Sequence, residues 1–227
     1  MKFTVITLFP QMVEDALTYG VIGKALEKGL IELKTVNPRD FSTDKHKRVD
    51  DRPFGGGAGM VMMHDPLAAT VEHLKQQDKE LTLSFLSPGG KKLNQGTVNQ
   101  LAQKHHIVLL CGRYEGIDQR FIDAYVDHEI SLGDFVISGG ELAAAVIIDA
   151  VARQIPDVLG DEDSAKTDSF MNNTLGPPQY TRSTLLKTEG VPEVLLSGNH
   201  AKIAKWREQK ALEITKEKRP DLLNKKL

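Results

Sequence analysis

Two glycine-bearing loops lie in the stretch 107–153, at a spacing that suits ligand binding by the backbone. The run 107–111 (IVLLC) is short and apolar, has strand length, and breaks at Gly112. A second loop, SLGDFVISGGE at 131–141, leads into the nearly all-apolar, Ala-rich segment 142–152, which has helix length. A buried strand ending in glycine, then Gly-Gly at a helix start, brings backbone N–H groups close to a ligand because no Cβ intervenes. Any one of Gly112, Gly133, Gly139 and Gly140 is explained as a turn residue. Two such loops around one buried helix point to a ligand site, and a Cβ branch at Gly139 is expected to occupy ligand space.

The helix also carries a polar stripe. Glu141, Ala145, Asp149 and Arg153 recur every fourth residue, so they share one face. Asp149 and Arg153 make a helix pair worth roughly 0.2–0.5 kcal/mol, and a cation in the last turn suits the helix dipole. That reading suffices unless the stripe faces the pocket formed by the loops.

Other chemistries fail on spacing. GGGAG at 55–59 has no strand before it, and the dinucleotide-binding register breaks at Met60. Gly89-Gly90-Lys91 lacks the remaining residues of a phosphate-binding P-loop. Ser138 lacks the glycine two residues earlier that a nucleophile elbow requires. The seven histidines are scattered, without zinc-ligand spacing.

The surrounding pattern supplies the elements that must hold these loops. Residues 2–8 form a strand, and Pro10 suits the first turn of the next helix. Gly20 and Gly29 punctuate short helices, 30–36 is a strand, and Asn37-Pro38 ends it. Residues 39–59 form a long charged loop closing in glycines. A helix is expected from Asp65 as N-cap and Pro66 as first residue to about residue 76. A strand at 81–86 ends at Ser87-Pro88-Gly89-Gly90, and Asn94 caps a helix to about residue 104. Alternating strands and helices predict an α/β fold with a largely parallel sheet. Residues 154–180 are rich in Asp, Ser, Gly and Pro and read as a linker. Helices follow at 183–186, 198–217 and 219–223, with Ile203, Trp206, Lys210, Ala211 and Ile214 along one stripe.

The chain's 227 residues have room for one sizeable α/β domain and a small second one. The single cysteine, Cys111, has no partner for an intrachain disulfide, so a reducing compartment is expected. No apolar run approaches a membrane span, and the first residues read as a strand rather than a secretory signal, so a cytoplasmic protein is expected. The net charge of −2 hides an asymmetry: 111–170 holds thirteen Asp or Glu against four Lys or Arg, whereas 201–227 holds nine Lys or Arg against four Asp or Glu. The basic end is either a handle for a polyanion or the solvated face of an amphipathic helix.

Seven strings together resemble one family: ITLFP (6–10), PRDF (38–41), DDRPFGGGAGM (50–60), LSPGGKKL (86–93), CGRYEGID (111–118), SLGDFVISGGE (131–141) and SGNH (197–200). The family is the bacterial tRNA (guanine-N1)-methyltransferases of the SPOUT superfamily, matched in collinear order over nearly the whole chain. The resemblance implies a deep trefoil knot, which periodicity does not reveal, and a homodimer whose active site is shared between subunits. It implies a SPOUT domain at 1–160, a linker at 161–180 carrying the catalytic Asp, and a helical tRNA-binding domain at 181–227. It also implies S-adenosylmethionine held by Phe85, Leu86 and Pro88, by Gly112, Tyr114 and Glu115, and by Leu132, Gly133, Asp134, Phe135, Val136, Ile137, Gly139 and Gly140.

The activity so implied is methylation of N1 of the guanine immediately 3′ of the anticodon, tRNA nucleotide 37. That N1 carries a proton, so a carboxylate must remove it while negative charge develops on O6, where a positioned Arg can stabilise it. The resemblance gives the first role to Asp168, in Asp168-Ser169-Phe170, and the second to Arg153. Arg39, Asp50, Arg52, Ser164, Ser169, Lys202 and Lys205 are expected to contact tRNA. Glu115 and nearby acids would permit Mg²⁺, although no spacing requires it. Phe54, Phe85 and Phe135 stand where relatives often have Tyr, which keeps the ring and removes a hydroxyl. A non-catalytic RNA-binding protein and a nucleotide-dependent oxidoreductase are the competing classes. The first should lack the Asp-Ser-Phe motif or the glycine loops, and the second is disfavoured by the failed dinucleotide register.

Overall fold

The computed structural model describes residues 1–160, 165 and 167–224. The chain divides into two compact units, Met1–Gly160 and Asp161–Leu227; Ser164 lies outside the described residues.

The first unit is built on a five-stranded, all-parallel sheet in the order β2-β1-β6-β5-β7. The strands are β1 (Lys2–Ile6), β2 (Glu32–Val36), β5 (Thr82–Lys92), β6 (His106–Cys111) and β7 (His128–Ser131). All six residues of β6 are buried, because a central parallel strand is covered on both faces. Its side chains alternate: Ile107, Leu109 and Cys111 join one core cluster, Val108 and Leu110 the other. The first cluster is closed by α1 (Pro10–Leu17), α2 (Gly20–Glu27), α4 (Gln95–Leu101) and α6 (Glu141–Ala152). The second is closed by α3 (His64–Gln77) and α5 (Gln119–Tyr125). The α/β class and parallel sheet expected from the alternation are therefore present, as is Pro10 at the start of α1.

Several boundaries differ from expectation. β5 does not stop at Ser87: after an irregularity between Leu86 and Lys91 it pairs again, Lys91 with Ile130 and Lys92 with Ser131. Gly90 permits this, since a Cβ there would lie 2.5 Å from the Ile130 backbone nitrogen. The N-cap of α3 is Met63, and Asp65 lies in the first turn, where its charge still meets the helix dipole favourably. The charged loop is partly ordered by a 3₁₀ turn at Pro38–Phe41 and a small hairpin of β3 (Asp50–Asp51) and β4 (Val61–Met62). α5 and β7 were not anticipated, because each is short and buries few residues: only Phe121 in α5, Ile130 and Ser131 in β7.

In the second unit the main element is α8 (His200–Lys218), whose N-cap Asn199 accepts the Lys202 N–H. α7 (Glu193–Leu196) and a 3₁₀ turn at Pro220–Leu222 accompany it. Residues 183–186, expected to be helical, instead form a tight turn closed by a bridge between Ser183 and Lys187. The Ser183 hydroxyl accepts the Leu186 N–H, a local bond that competes with helix.

Candidate active site

Every strand of the parallel sheet points its carboxyl end toward one edge, and ligands of open α/β sheets sit outside that edge. A cavity of about 270 Å³ lies there, beyond Leu86, Cys111 and Ser131. Of the fourteen residues expected to hold a cofactor, thirteen line it: Phe85, Leu86, Pro88, Gly112, Tyr114, Glu115, Leu132, Gly133, Phe135, Val136, Ile137, Gly139 and Gly140. Asp134 does not, because its carboxylate turns to an ion pair with Lys92.

The cavity wall is tied together by a buried charge cluster that the sequence did not disclose. Arg113 donates from Nε to Glu141 Oε1 at 3.2 Å, and its Nη2 lies 2.9 Å from Glu141 Oε2. The Thr7 hydroxyl donates to the same carboxylate at 2.7 Å and accepts the Phe9 N–H at 2.9 Å. Arg113 Nη1 donates to the Ser138 carbonyl at 3.1 Å, and the guanidinium lies 4.4 Å from the centre of the Phe9 ring. Glu141 stands in the first turn of α6, where a negative charge is favoured by the dipole. One forked ion pair thus fixes the β1–α1 turn, the loop after β6 and the start of α6 to one another. The only hints in the sequence were Arg113 beside a glycine and Glu141 at a helix start, too far apart to pair by inspection.

This arrangement changes the meaning of the glycines. A Cβ on Gly139 would lie 2.2 Å from Arg113 Nε, so that position is kept open for the arginine and not for a ligand. A Cβ on Gly140 would lie 2.7 Å from the Cys111 Cα, and the Gly140 N–H donates to the Gly112 carbonyl at 3.1 Å. These two glycines let α6 press directly against the end of β6. Burial, and then the neighbouring Glu141 charge, push the Cys111 thiol up, so it stays a neutral packing group.

The glycine run at 55–59 is anchored to the same wall. Glu115 N–H donates to the Met60 carbonyl at 2.9 Å, and Met62 N–H to the Gly116 carbonyl at 2.9 Å. A Cβ on Gly59 would meet the Glu115 side chain at 2.4 Å. Tyr114 sits in the left-handed region at φ 60°. Burial first, and the nearby Asp50 charge second, push its hydroxyl up, with Arg39 acting in the opposite sense. Arg39 and Asp50 therefore gather at Tyr114, while Arg52 and Phe54 are exposed on the hairpin loop. Among the described residues no three His, Cys, Asp or Glu side chains form a metal-ligand group, so the Mg²⁺ expectation gains no ligand set.

The polar stripe of α6 divides. Glu141 is buried at the cavity end, Ala145 half-buried, Asp149 exposed, and Arg153 half-buried as the C-cap of the helix. In the second unit, Asp168 is exposed at the start of a stitched turn. Phe170 N–H donates to the Thr174 carbonyl at 2.7 Å, and Gly176 N–H to the Ser169 hydroxyl at 2.9 Å. Phe170 has φ 75° and Asn173 φ 55°, backbone values rare for non-glycine residues and uncommon outside constrained sites. Within the expected linker, the described residues around Asp168 form a defined turn. Ser169 serves this turn through its hydroxyl. Lys202 and Lys205 are exposed on α8.

A glycine-walled cavity at the carboxyl edge of a parallel sheet is where α/β proteins can hold a small ligand largely through backbone groups. The family model for the tRNA (guanine-1)-methyltransferase TrmD matches residues 1–225. The chain is 53% identical over 225 residues to the tRNA (guanine-N(1)-)-methyltransferase of Caldanaerobacter subterraneus subsp. tengcongensis, covering 99% of this chain and 92% of that one. It is 50% identical over 223 residues to the protein so named from Geotalea uraniireducens, covering 98% and 90%. With that of Pseudomonas savastanoi pv. phaseolicola it shares 51% over 224 residues, covering 98% and 90%. The chain belongs to the TrmD family of tRNA (guanine-1)-methyltransferases, and a methyltransferase of this family implies a methyl donor of the S-adenosylmethionine type.

Proposed function

We propose that this protein transfers the methyl group of S-adenosylmethionine to N1 of the guanine 3′ of the anticodon in tRNA. The observation that carries the reading is the convergence of the three expected donor-binding segments, 85–88, 112–115 and 132–140, on one cavity. Among the described residues, no protein acceptor takes the N–H of Val136 or Ile137, which leaves backbone donors in this wall for the polar edge of a donor molecule. Such a donor supplies an electrophilic methyl group on a sulfonium. Asp168 removes the guanine N1 proton, and Arg153 offsets the charge that develops on O6. Arg39 in the 3₁₀ turn, Asp50 and Arg52 at the hairpin, Ser169, and Lys202 and Lys205 on α8 are assigned to the tRNA.

The active site is completed by a second copy of the chain. What supports this is the apolar face left by α1 and α6, which pack on each other while Met12, Leu142 and Val146 remain exposed. We also carry over the family's trefoil knot, in keeping with Gly139 and Gly140 drawn close under the loop after β6. No described helix is long and apolar enough to cross a membrane, and a tRNA substrate assigns the protein to the cytoplasm. The test is radiolabelled methyl transfer to an unmodified tRNA transcript, followed by nucleoside analysis. Label in 1-methylguanosine is expected; label in any other nucleoside, or none, overturns the assignment.

A further inference from the structure

A second cavity, of about 240 Å³, lies wholly within the Asp161–Leu227 unit. Its floor includes the half-buried Val191, Leu195 and Ile203, and its rim carries Arg182, Lys187 and Arg207. Among the described residues no Asp or Glu lines it. The ion pairs of this unit among the described residues, Lys210 with Glu213 and Arg219 with Asp221, leave these three cations without a carboxylate. Three positive charges around one cavity repel one another, and an anion held there relieves the arrangement.

Two further features shape the site. Lys187 is held in the left-handed region at φ 50°, by the turn in which its N–H donates to the Ser183 carbonyl at 2.9 Å. A residue that carries a Cβ is disfavoured there unless the surroundings enforce it. Tyr180 lines the cavity, half exposed, with the Trp206 ring 6.4 Å away and tilted by 53°. Cations around an aromatic platform are the combination that binds a nucleotide, through its phosphate and through stacking of its base or ribose.

We propose that this cavity is a nucleotide subsite for tRNA, in which Arg182, Lys187 and Arg207 hold a backbone phosphate and Tyr180 receives the adjoining base or ribose. The subsite rests on the reading of tRNA as substrate, and it shifts the main grip from Lys202 and Lys205, which do not line the cavity, to residues with no earlier assignment.

Trp206 is the only tryptophan in the chain, so its emission reports on this cavity. Full-length protein is titrated with an unmodified tRNA transcript at several salt concentrations. Saturating tRNA should change the Trp206 emission. Arg182→Ala combined with Arg207→Ala should lower the slope of log affinity against log salt by about 1, the value for one phosphate contact. Tyr180→Ala should weaken binding about 5- to 100-fold, while Tyr180→Phe, which keeps the ring, should remain near wild type. If the double variant loses its helical signal, the Ala and Phe variants of Tyr180 decide alone. Unchanged emission with an unchanged salt slope overturns the subsite, as does equal affinity of Tyr180→Ala and wild type, or displacement of tRNA by poly-glutamate at matched charge. Methyl transfer by the wild type is assayed on the same preparation. Transfer with an unaltered slope in the double variant removes the subsite alone; a lowered slope without transfer removes the enzymatic reading alone.

Discussion

The two cavities are close in size, about 270 Å³ and 240 Å³, yet they are built in opposite ways. The first is walled by backbone from loops that a forked, buried Arg113–Glu141 pair holds in place. The second is rimmed by exposed cations that bind no partner of their own among the described residues. A small ligand that must present one methyl group needs fixed donors, because misplacement of the reacting atoms costs rate steeply. A polyanion is held by charge of the right sign at roughly the right place, and exposed flexible cations supply it. Rigidity is therefore concentrated where chemistry is proposed, and unpaired charge where a large substrate is to be held.

The largest effect should come from Asp168, which belongs to neither cavity wall. Asp168→Asn keeps size and most hydrogen bonding but removes the proposed proton acceptor, so single-turnover methyl transfer should fall about 10²–10⁴-fold. Affinity for S-adenosylmethionine, measured by calorimetry, should not change. Mixing Asp168→Asn subunits with Gly139→Val subunits, in which Arg113 is displaced, should restore activity in heterodimers; absence of rescue would confine the site to one chain.

Next comes the clamp that separates the two kinds of cavity. Glu141→Gln leaves the half-buried Arg113 charge without its carboxylate, and denaturant unfolding should show a loss of about 1–3 kcal/mol. Replacing both residues with leucine should recover much of that stability without recovering donor binding. Gly140→Ala forces a Cβ against the Cys111 backbone and should cost about 1–3 kcal/mol by overpacking, with weaker donor affinity as the second readout. An unaffected donor affinity in both variants would mean that the rigid wall is not needed for binding.

The smallest effect belongs to the opposite end of the sheet. His106 is buried at the start of β6, between the Thr4 hydroxyl at 2.9 Å and Asp78 at 2.8 Å. Burial chiefly, with Lys2 and His105 adding to it and Asp78 opposing, holds its pKa below the ordinary 6.5. The unfolded chain then takes up this proton more readily than the folded one. The stabilisation is full above pH 6.5 and is lost as pH falls from there through the lower folded value. Thermal melting should show a decline on that side which His106→Gln removes, while donor and tRNA affinities compared at pH 8 stay as in the wild type.

The same contrast explains how much was legible in the sequence. The parallel core could be read because the strand at 107–111 and the helix after Gly140 announce themselves by apolar length. Glycines at both loops marked the first cavity because backbone approach requires that residue type. What they make room for could not be read: Gly139 yields space to Arg113, 26 residues earlier in the chain, and only packing reveals that. α5 and β7 were missed because seven and four residues give too little periodicity. Arg182, Lys187 and Arg207 follow no helical or strand period, since a turn and a helix bring them together, so the second cavity left no pattern to find. Residues 183–186 looked helical by composition, but the Ser183 hydroxyl captured the backbone for a turn.

The central claim is that donor binding belongs to the backbone cavity and tRNA binding to exposed charge. Its most direct test is to measure both affinities on one preparation between about 50 and 200 mM salt, the range over which phosphate contacts lose affinity steeply. The account predicts a nearly flat response for S-adenosylmethionine and a steep one for tRNA, with Gly140→Ala weakening only the first and the Arg182→Ala, Arg207→Ala pair flattening only the second. Parallel salt responses for the two ligands, or loss of both affinities in either variant with the fold intact, would contradict it.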